Sequence, residues 1–364
     1  MVYIGFESAT TQDDNLSEGC RLCTLGAKMV LFVTGVCPRS CFYCPLTSEK
    51  ASSPIMANER EVHSDSDVIE EARSMDALGT GITGGEPLLR LADVLHYIRV
   101  LKNEFTDIHH IHLYTSQAPS YEVLDSLATA GLDEIRFHPP MSVWDSISDS
   151  PYRRCMEDAL KFGMDVGIEI PAIRNVPAIV ALIDELGCFL NLNELEFTEA
   201  NAASLKKIGY RISEDSNAAI GSSDIARTII EGTEAQVHFC PSAFKDAVQL
   251  RERLKRKAKA YARPFDEITP DGTIVYGCIC CMGCIDCGGY EDAKNTDEAI
   301  TGCIALMEEM DVPHEMYCIE NSVVHTQWQV AEWLASNFKN IGCSIAIIEQ
   351  YPMKNGMIVE ESPL

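Results

Sequence analysis

Three features of the sequence predict an α/β fold built on a partial (β/α)6 barrel. Short β-rich runs alternate with helical patterns between about residues 29 and 200, and the connections between them are short. After Asn201 the alternation breaks into a polar loop, a basic helix, a cysteine-rich segment and a small α/β appendage. Parallel strands joined by right-handed crossovers are the simplest solution to such an alternation, which makes the first part a barrel or partial barrel. The expected divisions are an N-terminal segment (1–28), the barrel core (29–208), a loop and basic helix (209–264), a hairpin with cysteines (265–288) and the appendage (289–364).

The six expected strands are 29–34 (MVLFVT), 80–83 (TGIT), 110–115 (HIHLYT), 134–138 (EIRFH), 165–170 (DVGIEI) and 194–198 (ELEFT). Leu91, Val94, Leu95, Ile98 and Leu101 fall on one face of an intervening helix. Val123, Leu124 and Leu127 mark another, with Ser120 as its cap. Residues 209–223 read as a loop, 224–232 as a helix, 238–240 as a short strand and 242–262 as a long helix that Pro264 ends. Pro270-Asp271-Gly272 predicts a hairpin turn leading into 273–276. The tail then reads helix (294–310), strand (315–319), helix (325–340), strand (343–350). Trp328, Ala331, Leu334 and Phe338 are expected to pack as a core face.

The formal net charge is −26, and such acidity argues against a surface built to grip nucleic acid. The 16 cysteines do not suggest secretion. The opening MVYIGFESAT lacks a basic and then apolar signal pattern, and no apolar run is long enough to span a membrane. Many cysteines recur at gaps of two or three residues, a spacing that suits metal coordination in a reducing cytoplasm.

Cys37, Cys41 and Cys44 lie in the loop after the first expected strand. Three thiolates from one loop can hold three irons of a cubic iron–sulfur cluster and leave the fourth iron open to another ligand. On a barrel this loop sits at the C-terminal mouth, where such folds place chemistry. The plainer reading, a structural zinc site, wants a fourth ligand that the loop alone does not supply.

The spacing Cys37-x3-Cys41-x2-Cys44, with Tyr43 before the last thiol, resembles the signature of the radical S-adenosylmethionine (AdoMet) superfamily. That family also carries a Gly-Gly-Glu-Pro-like segment after its second strand, and Gly84-Gly85-Glu86-Pro87 stands in that place. In detail the sequence resembles an archaeal group similar to pyruvate formate-lyase-activating enzymes. The resemblance covers roughly 29–200. It implies a [4Fe–4S] cluster on Cys37, Cys41 and Cys44, AdoMet on the open iron, and hydrogen abstraction from a substrate after reductive AdoMet cleavage. It also implies a reducing donor such as ferredoxin or flavodoxin.

Around the mouth, Tyr43, Gly84, Gly85, Glu86, Ser116, Arg136 and Glu169 are the expected cofactor-binding residues. The two glycines let backbone approach AdoMet, and Glu86 suits its ammonium. Arg136 suits its carboxylate and Glu169 a ribose hydroxyl. Ser116, Arg136 and Glu169 are equally readable as satisfied polar residues of a barrel. His138 is a weaker candidate, since Pro139-Pro140 follows it.

Cys278, Cys281, Cys284 and Cys287 form a second array, with Cys280 as an extra thiol. Its spacing is close to ferredoxin-type ligation and suggests an auxiliary [4Fe–4S] cluster, with Cys287 or Cys240 as fourth ligand. The rival is zinc held by Cys20, Cys23, Cys281 and Cys284. Cys155, Cys188, Cys303, Cys318 and Cys343 read as single buried thiols. Residues 251–263 hold seven basic residues and one acid. They support an RNA-modifying alternative, against the plainer reading of an amphipathic helix paired with the protein's own carboxylates. A peptide, protein or small-molecule substrate agrees better with the acidity. A non-catalytic iron–sulfur carrier is the third reading.

Overall fold

Alternation decides how the first strand, β1 (Lys28–Phe32), is used. Met29 and Leu31 are fully buried on one face, while Lys28, Val30 and Phe32 share the other. The computed structural model describes residues 16–364 except 48, 50–51, 282–295, 322, 338–342 and 354–355; of 246, 281 and 296–299 only the backbone is described. The chain forms two compact units, Met1–Leu250 and Arg251–Leu364.

In the first unit, β1 is followed by a short hairpin, β2 (Met56–Ala57) and β3 (Arg60–Glu61). Then come β4 (Gly79–Thr83), β5 (His110–Thr115), β6 (Glu134–Phe137), β7 (Asp165–Pro171), β8 (Phe189–Asn193) and β9 (Gln236–Cys240). The sheet order is β3-β2-β1-β4-β5-β6-β7-β8-β9. All neighbours from β1 to β9 pair in parallel. The strands therefore follow chain order, as in a (β/α) barrel, and the sheet keeps two edges, as expected of a partial one.

The connecting helices bury the apolar faces read from the sequence. In α3 (Leu91–Phe105), Val94, Ile98 and Leu101 are fully buried. In α4 (Tyr121–Ala130), Leu124 and Leu127 are. Gly131 ends α4 at φ +103°, a left-handed conformation that disfavours other residues. A preceding helix, α1 (Glu18–Thr24), contacts β1, β4 and β5. Further helices of this unit are α2 (Asp65–Ser74), α5 (Pro151–Lys161), α6 (Pro177–Leu186), α7 (Ala202–Ile208), α8 (Ser222–Glu231) and α9 (Ser242–Phe244).

Two expectations for this unit need correction. The sixth parallel strand is β8, not 194–198, which lie just beyond it; there Glu196 makes an isolated bridge to Ala218. Leu190 and Leu192 are fully buried while Asn191 and Asn193 take the alternate face, so FLNLN is the better strand despite its asparagines. The expected short strand at 238–240 is the end of a seventh parallel strand, β9, beyond the expected core boundary at 208.

The second unit holds α10 (Arg251–Tyr261), β10 (Glu267–Ile268), β11 (Ile274–Cys281), α11 (Thr296–Glu309), β12 (Tyr317–Glu320), β13 (Val323–Thr326), α12 (Trp328–Asn337), β14 (Cys343–Gln350) and β15 (Ile358–Pro363). Its sheet order is β12-β13-β11-β14-β15, with β10 paired to β11 through the expected turn. The hairpin of β12 and β13 corrects the expected helix start at 325, because Val323 and Val324 are buried in strand pairing. Ala331 and Leu334 pack in the core as expected; Phe338 lies outside the described residues.

Candidate active site

The first unit's interior contrasts with an ordinary barrel core. Inward positions of small barrels are usually filled by branched apolar side chains. Here they include Lys28, Tyr114, Arg136, Glu169, Asn191, Asn193, His238 and Cys240, which line one cavity of about 610 Å³. Cross-strand register brings many of them together: Tyr114 faces Arg136, Glu169 faces Asn191, and Asn191 faces His238. Gly81 lies opposite His112, and a Cβ there would meet the imidazole at 2.6 Å.

The loop after β1 brings Cys37, Cys41, Tyr43 and Cys44 to the wall of this cavity. Its base is tied to the segment after β4. Gly85 N–H donates to Thr34 O at 2.7 Å and Glu86 N–H to Val36 O at 2.8 Å. A Cβ on Gly84 would lie 2.3 Å from Thr34 O, and one on Gly85 would lie 2.5 Å from Val36 O. Backbone packed on backbone leaves no room for a side chain, so the glycines unite the two motifs as well as edging the cavity. Burial pushes the Cys41 thiol up. Among the described residues, no three Cys, His, Asp or Glu side chains converge on one metal position. The thiols thus share a loop and a cavity wall rather than a closed cage.

The expected cofactor residues divide by what they already touch. Glu86 is fully buried, and its carboxylate accepts from Leu88 N (3.1 Å), Thr115 Oγ1 (2.8 Å), Ser116 N (2.7 Å) and Ser116 Oγ (2.7 Å). It fastens the Gly-Gly segment to the end of β5. Ser116 lines the cavity, but its carbonyl accepts from Arg39 and Tyr152. Arg136 donates to Glu134, to Tyr114 Oη (3.0 Å), to Glu169 (2.8 Å) and to Ser17 Oγ (3.0 Å). Burial works against its charge, yet Tyr114, Glu134 and Glu169 hold it well above the ordinary arginine value. Glu169 also accepts from Asn191 (3.2 Å) and Asn193 (2.9 Å). Burial opposes its charge as well, but Arg136 and Asn193 keep the carboxyl below its usual range.

Tyr43 and His138 form a relay with a defined proton order. Burial lowers His138, so the ring is neutral. Its Nδ1 lies 2.7 Å from Glu169 O, which can only accept, so Nδ1 carries the proton. Nε2 is then left to accept from Tyr43 Oη at 3.0 Å. Asn201 secures the same segment by donating to Tyr43 O at 3.0 Å.

Sequence reasoning missed the lower half of the cavity as a place, naming only Cys20, Cys23 and Cys240 there, each as a metal-ligand candidate. The backbone of α1 at Gly19 lies against the interior: a Cβ there would meet Arg136 Nη2 and His112 Nδ1 at 2.6 Å each, and its N–H donates to Glu134 at 3.0 Å. Cys20 and Cys23 therefore line the cavity, and Asn191 Nδ2 donates to Cys20 Sγ at 3.3 Å. Lys28 is buried, with Nζ 3.5 Å from His112 Nε2. Burial opposes its charge, but Cys23, Tyr114 and Cys20 raise it above the usual lysine value. Burial also pushes His238 down to about 4 and Cys240 up to about 12. The missed signal was inward alternation on Lys28-x-Val30-x-Phe32, Asn191-x-Asn193 and His238-x-Cys240.

In the second unit, Cys278 and Cys280 lie on β11. Strand alternation sets their Cα–Cβ bonds to one face and that of Cys281 to the other. The side chain of Cys281, and Cys284 and Cys287 entirely, lie outside the described residues. Cys278 is opposite His325, which is opposite Cys318. Cys303 and Cys343, expected as single thiols, approach to 3.6 Å. In the basic stretch, Arg251 and Lys255 pair with Glu252, Arg263 pairs with Asp266, and Lys257 is buried. Among the described residues no helix is long and apolar enough to cross a membrane.

A family profile described as the radical SAM superfamily matches residues 31–140, and a domain of unknown function (DUF8061) matches residues 272–364. A provisionally named glycyl-radical enzyme activating enzyme of Methanocaldococcus jannaschii is 35% identical over 368 residues, covering 96% of this chain and 93% of that protein. A probable GTP 3′,8-cyclase of Saccharolobus islandicus is 24% identical over 197 residues, covering 50% of this chain and 60% of that one. Among solved structures, methylornithine synthase covers 59% of this chain and 70% of its own, at 12% identity and a TM-score of 0.38.

Proposed function

The chain belongs to the radical SAM superfamily, as an enzyme of the pyruvate formate-lyase-activating type, and on that premise we propose that its cavity is where hydrogen is abstracted from a peptide or protein substrate. The observation that carries this reading is the backbone tie between the cysteine loop and Gly84-Gly85, which opens both motifs onto one cavity. The donor set fits the implied group. Three thiols of one loop suit three irons, and the cavity falls within the roughly 300–1,000 Å³ typical of small-molecule sites. When bound, the cluster and AdoMet supply reductive cleavage of a carbon–sulfur bond and a radical that takes hydrogen from the substrate.

The protein's own residues hold and shield. Cys37, Cys41 and Cys44 would ligate the cluster, drawn together as metal binding couples to local folding. Gly84 and Gly85 leave backbone facing the cofactor. The Tyr43–His138 relay fixes the loop's aromatic residue, and Glu169, oriented by Asn193, presents a carboxylate for a hydroxyl. The α1 floor keeps bulk water from the interior. A peptide substrate follows the name of the Methanocaldococcus jannaschii relative.

A small molecule with polar groups is the second reading, favoured by the charged and amide side chains Lys28, Arg136, Glu169, Asn191 and Asn193 among the residues lining the cavity. An RNA substrate loses ground, because several cations of the basic helix are paired or buried. A ferredoxin- or flavodoxin-class donor and an auxiliary [4Fe–4S] cluster on the array Cys278, Cys281, Cys284 and Cys287 complete the proposal, although Cys278 and Cys281 leave β11 on opposite faces and Cys278 would have to turn to join it. Anaerobic reconstitution tests the auxiliary cluster: it requires about eight irons per chain, and about four would remove it. Adding cell extract split by size tests the substrate. Stimulation of AdoMet cleavage by the macromolecular fraction supports the peptide reading. Stimulation by the small-molecule fraction alone overturns it in favour of the second.

A further inference from the structure

The second unit gathers cysteines that the auxiliary array does not account for. Cys281 ends β11 and lies opposite Cys343, which opens β14. Opposed residues of an antiparallel pair carry their Cβ atoms on one face, about 4.5–5.5 Å apart. Register alone therefore places Cys281 beside Cys343. Cys303, fully buried on α11, comes to the same corner, with its Sγ 3.6 Å from Cys343 Sγ. This corner lies on the face where Ile279 packs with Ile345 and Cys303. Cys278 leaves β11 on the other face, where Tyr276 and Ile348 pack.

The sulfur separation decides between the uses of such a pair. Disulfide sulfurs stand about 2.05 Å apart, and 3.6 Å is far beyond bonding. Two thiolates on one tetrahedral zinc ion, each bonded at about 2.3 Å, stand about 3.8 Å apart. In a cube each cysteine binds a different iron, which sets the sulfurs wider. Cys303 and Cys343 already hold the spacing of a single ion.

We propose that Cys281, Cys303 and Cys343 hold one zinc ion that fastens the end of β11 and the start of β14 to α11. The thiols release their protons to solvent as the ion binds. Water takes the fourth corner, as it does in zinc sites with three protein ligands. The inference is independent of the radical chemistry and takes Cys281 out of the auxiliary array. Cys278 and Cys281 part to opposite faces of β11 and so serve different centres. The auxiliary cluster then keeps Cys278, Cys284 and Cys287, three thiolates as on the loop after β1.

The test is metal analysis of the full-length protein, reconstituted anaerobically with iron and sulfide, supplied with zinc and desalted. Wild type and Cys278→Ser should retain about one zinc per chain, and Cys303→Ser and Cys343→Ser should lose it. Cys303 lies in the core, so its variant can unfold; Cys343 is half-buried, and a second measurement needs no variant. In the wild type, iodoacetamide should spare Cys281 and Cys343 while zinc is bound and label both after chelation, as mapped by mass spectrometry. Zinc retained by both core-side variants, or lost from Cys278→Ser instead, overturns the proposal. A wild type that retains no zinc also overturns it, as does a Cys303–Cys343 disulfide formed with zinc present. Iron is counted on the same sample, so loss of the auxiliary cluster does not imitate loss of the zinc site.

Discussion

Glu86→Gln separates two roles for the acid of the Gly-Gly-Glu-Pro segment. In the structure the carboxylate is fully buried and accepts four hydrogen bonds, from Leu88 N, Thr115 Oγ1, Ser116 N and Ser116 Oγ. Glutamine keeps one oxygen and replaces the other with an NH2 group. If the oxygen turns toward Ser116, the amide faces the Leu88 N–H, which then loses its acceptor. An unpaired buried N–H costs about 1–3 kcal/mol, and the bonds to Ser116 lose their charge assistance. The sum is about 2–4 kcal/mol. For a unit of this size, each kcal/mol lowers the melting temperature by about 2–4 °C, so a fall of roughly 5–15 °C is expected. Circular dichroism melts of the apo protein measure it, with AdoMet titration calorimetry of the reconstituted protein beside them. An unchanged melting temperature together with lost AdoMet affinity would refute the reasoning and return Glu86 to a direct cofactor contact.

Other perturbations read out neighbouring parts of the account. Gly85→Ala places a methyl 2.5 Å from Val36 O and 2.7 Å from Gly35 O, and strains the bond from Gly85 N to Thr34 O. It should cost about 2–4 kcal/mol in urea unfolding and lower the iron retained after reconstitution. Wild-type iron content and stability would show that the two motifs are not so tied. Tyr43→Phe removes the bond from Tyr43 Oη to His138 Nε2 and should cost about 1 kcal/mol, read from the urea midpoint. His109, 1% exposed, is pushed by burial from 6.5 down to about 4. The unfolded chain then binds more protons, so this contribution is present above pH 6.5 and is lost as pH falls toward 4. About 3 kcal/mol is at stake, and His109→Gln should flatten the acid limb of stability against pH by that order. Parallel acid limbs for the two proteins would contradict it.

The early strands were legible because β1, β4, β5, β6 and β7 carry apolar residues at strand spacing between amphipathic helices. The motif cysteines and Gly84-Gly85 were legible from spacing and chain order. The sixth strand was misplaced because asparagine disfavours strands, whereas in β8 Asn191 and Asn193 are the side chains the polar interior uses. Lys28 and His238 went unread for the same reason: alternation tells which residues share a face, but not that the barrel's inner face is the polar one. Cys20 and Cys23 were read as metal ligands, not as part of this cavity. Glu86 and Arg136 were legible as charged residues near the mouth. Their engagement with Ser116, Thr115 and Ser17 depends on contacts 29–119 residues apart, which no local pattern carries.

The most direct test of the central claim is 5′-deoxyadenosine formation by the anaerobically reconstituted protein with dithionite and AdoMet, set against Cys41→Ala. The account predicts slow formation by the wild type without added substrate and none by the variant. A fully loaded, reducible wild-type cluster that neither forms 5′-deoxyadenosine nor binds AdoMet would contradict it and leave an iron–sulfur electron carrier as the better description.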